Sequence, residues 1–388
     1  MANDSFTTTT SQSWFSRIGG AFSGILFGVV LFLCSFLVLG WNEGRAVDRA
    51  KTLKAGASQV VSVAAAKPLA ENNGKLVHVT GTAEADGPVK DSVFGISAEA
   101  LKLRRVVEMY QWQEEKKSET KQKLGGGEET TTTYSYSKAW SPSLIDSTAF
   151  QKPDGHSNPD AMTVDTTTFA APGIHVGGFV LPPSLIAMID GFVPRPATSE
   201  EAEVAASKNS TKIQTTVGGA LYIGSDPGNP VVGDTRVTFE VVPSGAVSIL
   251  AGQVAETFEP FSVSRHGTIE VLKSGTLSAA TMFQQEEEGN TFLTWILRLV
   301  GFLMMLFGMI MMVNIFSVLA SVVPFFGNIV GTGTGMLAFA VAVPLTLVTI
   351  AISWLAYRPM IGIPLIFVAG GSMVFLFTRL SKSRKKKA

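Results

Sequence analysis

Four long runs of apolar residues stand out from the more polar remainder of the chain. They cover residues 18–39, 292–313, 336–355 and 361–377, and the second contains a single charged side chain, Arg298. An α-helix rises about 1.5 Å per residue, so runs of this length match a hydrocarbon core about 30 Å thick. The pattern predicts four transmembrane helices, one N-terminal and three C-terminal.

The first run is interpreted as a retained membrane anchor. It is longer than the apolar core of a typical signal peptide, and GWNEGRAVDRA follows it rather than a small-residue cleavage site. Asn42, in this stretch, is predicted to cap a separate short helix after the span. The Ser/Thr-rich residues 1–16 are predicted to be mobile.

Between the first two runs, apolar and polar residues alternate in short segments that are typical of strands. One segment, LRRVVEMYQW, covers Leu103–Trp112, and YSYSKAW follows it after a polar stretch with three consecutive glycines. This arrangement predicts a hairpin. We therefore expect Tyr110 and Trp112 to meet aromatic residues of YSYSKAW across the strands, which contributes about 0.2 to 1 kcal/mol for each pair.

The predicted fold class is an α+β membrane protein with four transmembrane helices and a large β-rich extracytoplasmic domain inserted between the first and the second. Ser278 is predicted to cap a helix that leads into the second span. In chain order we expect a cytoplasmic tail, the first span, the extracytoplasmic domain, the second span, a cytoplasmic-side interfacial connection, the third span, the fourth span and a basic cytoplasmic tail. Their residues are 1–17, 18–40, 41–291, 292–313, 314–335, 336–356, 360–377 and 378–388.

Composition and charge predict how the chain is oriented across the membrane. Hydrophobic residues make up 46% of the 388 residues, and the formal net charge is zero, which gives no indication of a nucleic-acid partner. Basic residues dominate positions 379–387, and the tendency of positive segments to stay inside places the C-terminus in the cytoplasm. Four spans then place the N-terminus there too, so residues 41–291 are predicted to be periplasmic or luminal.

Candidate chemistry is sparse in this sequence. The single cysteine, Cys34, lies inside the first run, so the chain has neither an intramolecular disulfide nor a thiolate metal cluster. The sequence carries no nucleophile elbow, zinc-protease motif or phosphate-binding loop, and no catalytic, cofactor-binding or metal-ligating residue is assigned. His156, in KPDGHSNPD, is a weak site candidate, because Pro153 and Gly155 favour a rigid hydrogen-bonded loop instead.

Two sets of membrane residues are candidates for function. Arg298 is the single charge inside a predicted span and is a functional candidate for that reason, although its place near one end equally suits snorkelling to the interface. Gly20, Gly24 and Gly28 are candidates for helix packing, since they follow the GxxxG spacing that lets another helix approach closely. The partner is either another span of the same chain or a second copy.

The segment Leu103–Trp112 carries three candidates for contact with partners of the outer domain, Arg104, Tyr110 and Trp112. If these side chains face solvent beside a groove, the strand is a binding surface. If the arginines and Glu108 are instead buried and paired, it is a structural strand of the hairpin. The pairing with YSYSKAW favours the structural role.

Several segments together resemble one known family. They are WNEGRAV, LVHVTG, LKLRRVVEMYQWQE, YSYSKAW, IDSTAF, GHSNP, GDTRVTF, TWILRLVGFLMMLFGM, VPFFGNIVGTG and WLAYRP. Their order, and their places relative to the spans, resemble the transmembrane protein 43 family, also called LUMA. The resemblance implies a multi-pass protein that self-associates and helps to organise membrane-protein complexes. In animals the family resides in the endoplasmic reticulum and nuclear inner membrane, and a bacterial member, which the alanine- and glycine-rich composition favours, would reside in the cell inner membrane.

The expected function is that of a non-catalytic, oligomeric scaffold, since no catalytic residues are established for the family. Its expected partners are membrane lipids, further copies of the chain and other membrane or envelope proteins. One alternative is an ion channel or transporter formed by the membrane helices, motivated by Arg298 and the glycine- and proline-containing stretch after the second span. The other is a membrane-anchored hydrolase that uses the His156 loop.

Overall fold

The chain forms two compact units. The computed structural model describes residues 4–216, 218–263, 267–357 and 363–364. A strand-rich unit takes in the described residues of Met1–Thr8, Lys54–Lys117 and Thr132–Gln284. A helical unit takes in the described residues of Thr9–Leu53, Ser118–Thr131 and Gln285–Ala388.

Five α-helices are assigned in the described residues. Their bounds are α1 Trp14–Ala57, α2 Pro183–Met188, α3 Ser199–Asn209, α4 Ala279–Ala320 and α5 Pro324–Tyr357. Three helical stretches are long and apolar enough to cross a membrane, namely Trp14–Ala57, Ala279–Ala320 and Ile329–Tyr357. One is N-terminal, and strands separate it from the other two, as predicted. The predicted fourth span, 360–377, lies outside the described residues except for 363 and 364.

The first helix is longer than predicted. α1 continues without a break to Ala57, so the prediction of a separate short helix capped by Asn42 is wrong. Packing holds the chain helical through WNEGRAV: a Cβ at Gly44 would lie 2.8 Å from the ring of Tyr357 in α5. Such tertiary contacts override the weak helix preference of glycine.

The fourth helix also differs from the predicted second span. Its start is capped as predicted, since Ser278 Oγ accepts a hydrogen bond of 3.1 Å from the Thr281 amide. At the other end α4 continues to Ala320, and α5 begins at Pro324, where proline suits the first position of a helix. The segment 314–335, predicted as an interfacial connection, is therefore helical apart from a three-residue turn.

Nineteen strands are assigned in the described residues. They are β1 Ser5–Gln12, β2 Val61–Ala64, β3 Leu76–Glu84, β4 Val89–Asp91, β5 Ile96–Ala98, β6 Lys102–Gln122, β7 Glu128–Ser141, β8 Thr167–Ala170, β9 His175–Val176, β10 Phe179–Val180, β11 Val193–Pro194, β12 Ile213–Thr215, β13 Leu221–Ile223, β14 Thr235–Val242, β15 Gly245–Val254, β16 Thr257–Glu259, β17 Phe261–Val263, β18 Gly267–Ile269 and β19 Val271–Ser274. One large sheet has the order β1, β7, β6, β14, β13, β12, with β8 and β11 beside β6 and β14. The other has the order β10, β9, β3, β15, β16, with β2 and β19 beside β3 and β15.

The segment LRRVVEMYQW lies in β6, near the middle of the first sheet. β6 and β7 are neighbours, so the predicted hairpin is confirmed. On its other side β6 pairs antiparallel with β14, from Lys102 opposite Val242 to Met109 opposite Thr235. Leu103 and Met109, on one face of β6, are fully buried.

One hydrophobic core holds the strand-rich unit together. Both large sheets contribute fully buried side chains to it, among them Val107 and Val237 from the first sheet and Val79 and Ile249 from the second. Leu185 of α2 packs into the same core. Removal of this apolar surface from water, at about 25 cal/mol per Å², is the main source of stability for the sheets.

Residues Ser5–Gln12 form strand β1, so the prediction that residues 1–16 are mobile is wrong for this segment. β1 lies beside β7 in the first sheet, and the Asp4 carbonyl accepts a hydrogen bond of 3.0 Å from the Tyr136 amide. The run of threonines has the β-branched side chains that strands favour. Residues in hydrogen-bond contact share a compartment. This pairing and the predicted placement of segments 1–17 and 41–291 on opposite sides of a membrane therefore exclude each other. The compartment of each segment stays a prediction.

Candidate functional site

The helical unit contains a buried ion pair between α1 and α4. Arg298 Nε and Nη2 donate to the two carboxylate oxygens of Glu43, at 2.7 and 2.8 Å. The Glu43 side chain is 2% exposed and the Arg298 side chain is 14% exposed. This bidentate ion pair fixes the orientation of both side chains. It also neutralises two charges that would each be costly to bury without a partner.

Two tryptophans complete the surroundings of this pair. Trp354 of α5 donates its indole N–H to Glu43 Oε2 at 2.5 Å. The Arg298 guanidinium lies 4.8 Å from the ring centroid of Trp295 and 5.5 Å from that of Trp354. Because an aromatic face attracts a guanidinium group, the cation has favourable contacts besides its carboxylate. The cluster of Glu43, Arg298, Trp295 and Trp354 therefore joins α1, α4 and α5.

Polar residues on either side of Glu43 extend the contact between α1 and α4. Arg45 donates to Asn290 Oδ1 at 2.9 Å and to Thr294 Oγ1 at 3.0 Å. Asn42 donates its side-chain amide to the Thr294 carbonyl at 3.0 Å. The polar residues of WNEGRAV thus bind α4, which explains why hydrogen-bonding side chains follow directly on the first apolar run.

The three glycines predicted to pack helices lie in different surroundings. A Cβ at Gly28 would lie 2.7 Å from the carbonyl oxygen of Gly308, so α1 and α4 approach each other closely there. A Cβ at Gly24 would lie 4.0 Å from Met311 Cε, whereas one at Gly20 would have no atom of the described residues within 4 Å. The structure identifies α4 as the neighbour of Gly28, and no helix of the described residues packs directly against Gly20.

A polar cavity of about 460 Å³ lies at the other end of α1, between α1, α4 and the tip of the β6–β7 hairpin. Gly20 and Gly24 are part of its lining. Arg17, which also lines it, donates to the Gly126 carbonyl at 2.5 Å and pairs with Glu128 at 2.7 Å. The charge of this arginine is thereby compensated within the helical unit.

Two charged residues of LRRVVEMYQW are paired with β14. Arg104 Nε donates to Glu240 at 2.6 Å, and Glu108 accepts from Arg236 Nε at 2.6 Å. The Arg104 guanidinium also lies 4.0 Å from the centroid of the Phe192 ring. Its side chain is 38% exposed, so this pair is on the accessible side of the sheet.

Arg105 lies on the opposite, buried face of β6. It donates to Asp91 Oδ2 at 2.7 Å, with side-chain exposures of 5% and 0%, and its Nε donates to the Asp165 carbonyl at 2.9 Å. Each charge of the segment therefore has a partner within the strand-rich unit. This arrangement favours the structural role of the segment over a binding surface centred on its charges.

Tyr110 and Trp112 are half-buried. The Tyr110 and Trp140 ring centroids are 5.3 Å apart, which confirms an aromatic contact across the hairpin. The Lys138 ammonium lies 4.6 Å from the Trp112 ring centroid. Trp112 therefore carries a cationic side chain over its ring, and Tyr110 packs on another aromatic ring.

His156 is buried among aromatic residues. Its ring stacks on Tyr136 at a centroid distance of 4.0 Å and meets Trp112 in a T-shaped contact at 4.6 Å. His156 Nδ1 lies 2.8 Å from the Lys152 carbonyl oxygen, and Nε2 lies 2.8 Å from an Asp4 carboxylate oxygen. Both ring nitrogens are thus engaged inside the protein.

The hydroxyl of Tyr136 belongs to the same cluster. It donates to Glu114 at 2.7 Å and accepts from the Lys152 amide at 3.0 Å. Burial, and then the hydrogen bond to the Glu114 carboxylate, raise the pKa of Tyr136 to about 12. Within the described residues, no group of three or more His, Cys, Asp or Glu side chains is arranged to hold a metal ion.

Arg298 was predicted as a functional candidate, but its partner Glu43 was not. Glu43 is 255 positions away from Arg298, and it is the acidic residue that comes directly after the first apolar run. A buried cation requires an anion at similar depth, so an acidic residue at the end of another apolar run was the available signal. Trp354 was missed because nothing in the sequence places α5 beside Glu43.

Three long apolar helices, with strands between the first and the second, define a membrane protein with several candidate spans. The family model for transmembrane protein 43 matches residues 109–359. The chain belongs to the transmembrane protein 43 family, which confirms the resemblance of its sequence segments. No solved structure matches the chain.

Individual relatives match over almost the whole chain. Transmembrane protein 43 of Rattus norvegicus is 34% identical over 366 residues, which cover 91% of this chain and 89% of that protein. The protein of the same name from Homo sapiens is 33% identical over 392 residues, with coverage of 98% and 95%. A transmembrane protein 43 homolog from Drosophila melanogaster is 29% identical over 365 residues, with coverage of 91% and 94%.

Proposed function

We propose that the chain is a non-catalytic membrane scaffold that self-associates and holds other membrane proteins through its strand-rich unit. The observation that carries this proposal is the closed cluster around Glu43. Arg298 gives two hydrogen bonds to Glu43, and Trp354 gives a third, so the one charge of the second apolar run joins three helices. A charge used in this way supports a structural role for the helices.

The strand-rich unit supplies the proposed contact surface. Cationic groups lie over aromatic rings on the accessible side of the first sheet: Lys138 is 4.6 Å from the Trp112 ring and Arg236 is 4.7 Å from the Trp140 ring. Arginine and aromatic residues are enriched at protein–protein contacts. The proposed partners are membrane or envelope proteins and membrane lipids. The proposed location is the endoplasmic reticulum and nuclear inner membrane in a eukaryote or the cell inner membrane in a bacterium.

Self-association is tested by crosslinking the full-length chain in native membranes over a wide range of expression. We expect dimers or larger assemblies that Gly20→Leu weakens, because Gly20 is exposed and a Cβ there would have no described atom within 4 Å, although the residue also lines the polar cavity of its own chain. Gly19→Leu is the matched control, since it also projects into open space but lies about 100° around the helix.

Two results would contradict this part of the proposal. Wild-type chain that stays monomeric at every concentration would exclude self-association. Equal weakening by Gly19→Leu and Gly20→Leu would remove the specific contact at Gly20. Gly24→Leu should also weaken assembly, but a leucine there reaches Met311 within the chain, so it discriminates less well.

Partner binding is tested by proximity labelling followed by affinity purification from the native membrane. We expect a reproducible set of membrane proteins whose recovery falls severalfold in Lys138→Glu, because that change reverses the charge over Trp112. Lys117→Glu, at another exposed position of the same hairpin, is the control. An unchanged set in Lys138→Glu would place the contact elsewhere.

An ion channel or transporter is the second candidate, because the helical unit has a polar cavity of about 460 Å³ beside Arg17. Purified protein in planar bilayers distinguishes the two proposals. The scaffold predicts no conductance. A conductance that Arg17→Gln alters would favour the channel.

A membrane-anchored hydrolase has the least support. His156 is 2% exposed and both of its ring nitrogens are bound, so the imidazole has no free nitrogen for a substrate in this arrangement. A hydrolytic activity that is lost in His156→Gln and kept in His175→Gln would revive this alternative.

A further inference from the structure

We propose that the contact between His156 and Asp4 is a proton-linked latch that holds the N-terminal strand β1 against the strand-rich unit. His156 Nδ1 lies 2.8 Å from the Lys152 carbonyl oxygen. His156 Nε2 lies 2.8 Å from Asp4 Oδ2. Both neighbours are oxygens that accept hydrogen bonds, and neither an amide carbonyl nor a carboxylate has a hydrogen to donate.

The count of hydrogens in this contact leads to the proposal. A neutral imidazole carries one N–H and one lone pair. With the hydrogen on Nδ1, the lone pair of Nε2 faces the Asp4 carboxylate, and with the hydrogen on Nε2, the lone pair of Nδ1 faces the Lys152 carbonyl. Two acceptors at 2.8 Å repel each other, so the contact holds one additional proton, shared between His156 Nε2 and Asp4 Oδ2. Docking of β1 takes up that proton, and release of β1 returns it to solvent.

Groups from each neighbouring element act on the additional proton. Asp4 approaches from the start of β1, and Glu114 of β6 binds the hydroxyl of Tyr136, the β7 residue that stacks on the imidazole. Both carboxylates favour a positive imidazolium. Lys152 Nζ lies 3.9 Å from Asp4 Oδ1 and is about half exposed, so it competes only weakly for the Asp4 carboxylate.

The burial of His156 makes the linkage strong. The ring is 2% exposed and is covered by Tyr136 and Trp112, so water cannot supply the missing donor while β1 is docked. Histidine changes its charge in the pH range of cellular compartments. Because the docked strand holds one proton more than the released strand, the docking constant falls as pH rises, by at most about tenfold per pH unit.

The test measures the mobility of β1 in the full-length chain at two pH values. Ser5→Cys is introduced together with Cys34→Ser, and a nitroxide label at position 5 is followed by electron paramagnetic resonance in nanodiscs. We expect an immobile label at about pH 5.5 and a severalfold larger mobile fraction at about pH 8.5, on either side of the usual histidine range.

Asp4→Asn separates proton linkage from simple packing. An asparagine amide donates a hydrogen bond to a neutral Nε2, so the strand should stay docked at both pH values without an additional proton. His156→Gln should likewise lose the pH dependence. His175→Gln is the matched control, because His175 also lies near a carboxylate, with Nδ1 3.5 Å from Asp86, but is partly exposed, and it should behave as the wild type.

Equal mobility of the wild-type label at both pH values would overturn the proposal. A pH dependence like that of the wild type in Asp4→Asn would overturn it as well, since the additional proton would then lie elsewhere. If His156→Gln fails to fold, Asp4→Asn decides alone, because Asp4 is about half exposed and the substitution keeps its size.

Discussion

Glu43 and Arg298 share two hydrogen bonds, of 2.7 and 2.8 Å, although 255 positions separate them in the chain. All the strands after β1 lie between them. The pair therefore joins α1, which precedes these strands, to α4, which follows them. Trp354 of α5 binds the same carboxylate.

Removal of one member of this pair should destabilise the helical unit strongly. Glu43→Gln leaves Arg298 buried without its counter-charge, which is expected to lower the free energy of unfolding by about 3–5 kcal/mol. The double variant with Arg298→Met should recover part of that loss, because no unpaired charge remains. Unfolding of the full-length chain in mixed detergent micelles measures both effects.

Arg49→Met is the matched control for the pair. Arg49 binds Glu286 at 2.8 Å, and its side chain is 29% exposed, so we expect a loss of about 1 kcal/mol or less. If Arg49→Met and Glu43→Gln lower the free energy of unfolding equally, the burial of the Glu43 pair does not increase its contribution to stability.

A side chain at Gly28 should separate α1 from α4. Its Cβ would lie 2.7 Å from the carbonyl oxygen of Gly308, which is backbone and cannot move aside. Gly28→Leu is expected to lower the free energy of unfolding by about 1–3 kcal/mol or more, as overpacked sites do. Gly19→Leu, with no described atom within 4 Å of its Cβ, should be close to neutral in the same assay. A stable Gly28→Leu variant would mean that the two helices are not in contact at this position.

The stability of the strand-rich unit should fall at alkaline pH. The pKa of Tyr136 is raised to about 12 in the folded chain, chiefly by burial. The ordinary tyrosine value is about 10, so the stabilisation is fully present below pH 10 and is lost as pH rises from about 10 through 12. The measurements are the titration of tyrosinate absorbance and the unfolding midpoint of the full-length chain.

Tyr136→Phe should remove that part of the alkaline pH dependence. It also loses the hydrogen bond to Glu114, so its stability at neutral pH should be lower than that of the wild type. If the alkaline loss of stability is the same in both proteins, other groups cause it.

The N-terminus and the His156 loop should be on the same side of the membrane. Asp4 lies 2.8 Å from His156, whereas the pattern of spans in the sequence predicts opposite sides. Cysteines at Ser5 and Asp154, each in a Cys34→Ser background, can be labelled with a membrane-impermeant maleimide in sealed vesicles. We expect both to react from the same side. Reaction from opposite sides would contradict the pairing of β1 with β7.

The hairpin could be predicted from the sequence, but its ion pairs could not. Alternation in LRRVVEMYQW and the glycines after it identify β6, its turn and β7, and these depend on neighbouring residues. The pairs of Arg104 with Glu240 and Arg236 with Glu108 depend instead on the register of β6 against β14, more than a hundred positions later. No local sequence pattern specifies this register, because several other strands of the chain could pair with the same edge of β6.

The His156 site was recognised only in part, for a related reason. The loop around it was predicted to be rigid and hydrogen-bonded, and the structure shows hydrogen-bond contacts of His156 with Lys152 and Asp4. Asp4 was missed because a short polar segment rich in serine and threonine has the composition of a mobile tail. The threonines of this segment also favour a strand. Whether it is a mobile tail or a strand depends on the presence of β7 beside it.

The pairing of Glu43 with Arg298 also has a consequence for biosynthesis. The ribosome makes the first helix, with its carboxylate, long before it makes the arginine that completes the pair. Because an unpaired carboxylate is costly in the bilayer, we expect Glu43 of the nascent chain to be hydrated at the membrane surface or bound to another protein during that interval. A chain truncated before α4 lacks Arg298, so Glu43 would never gain the partner that this fold provides.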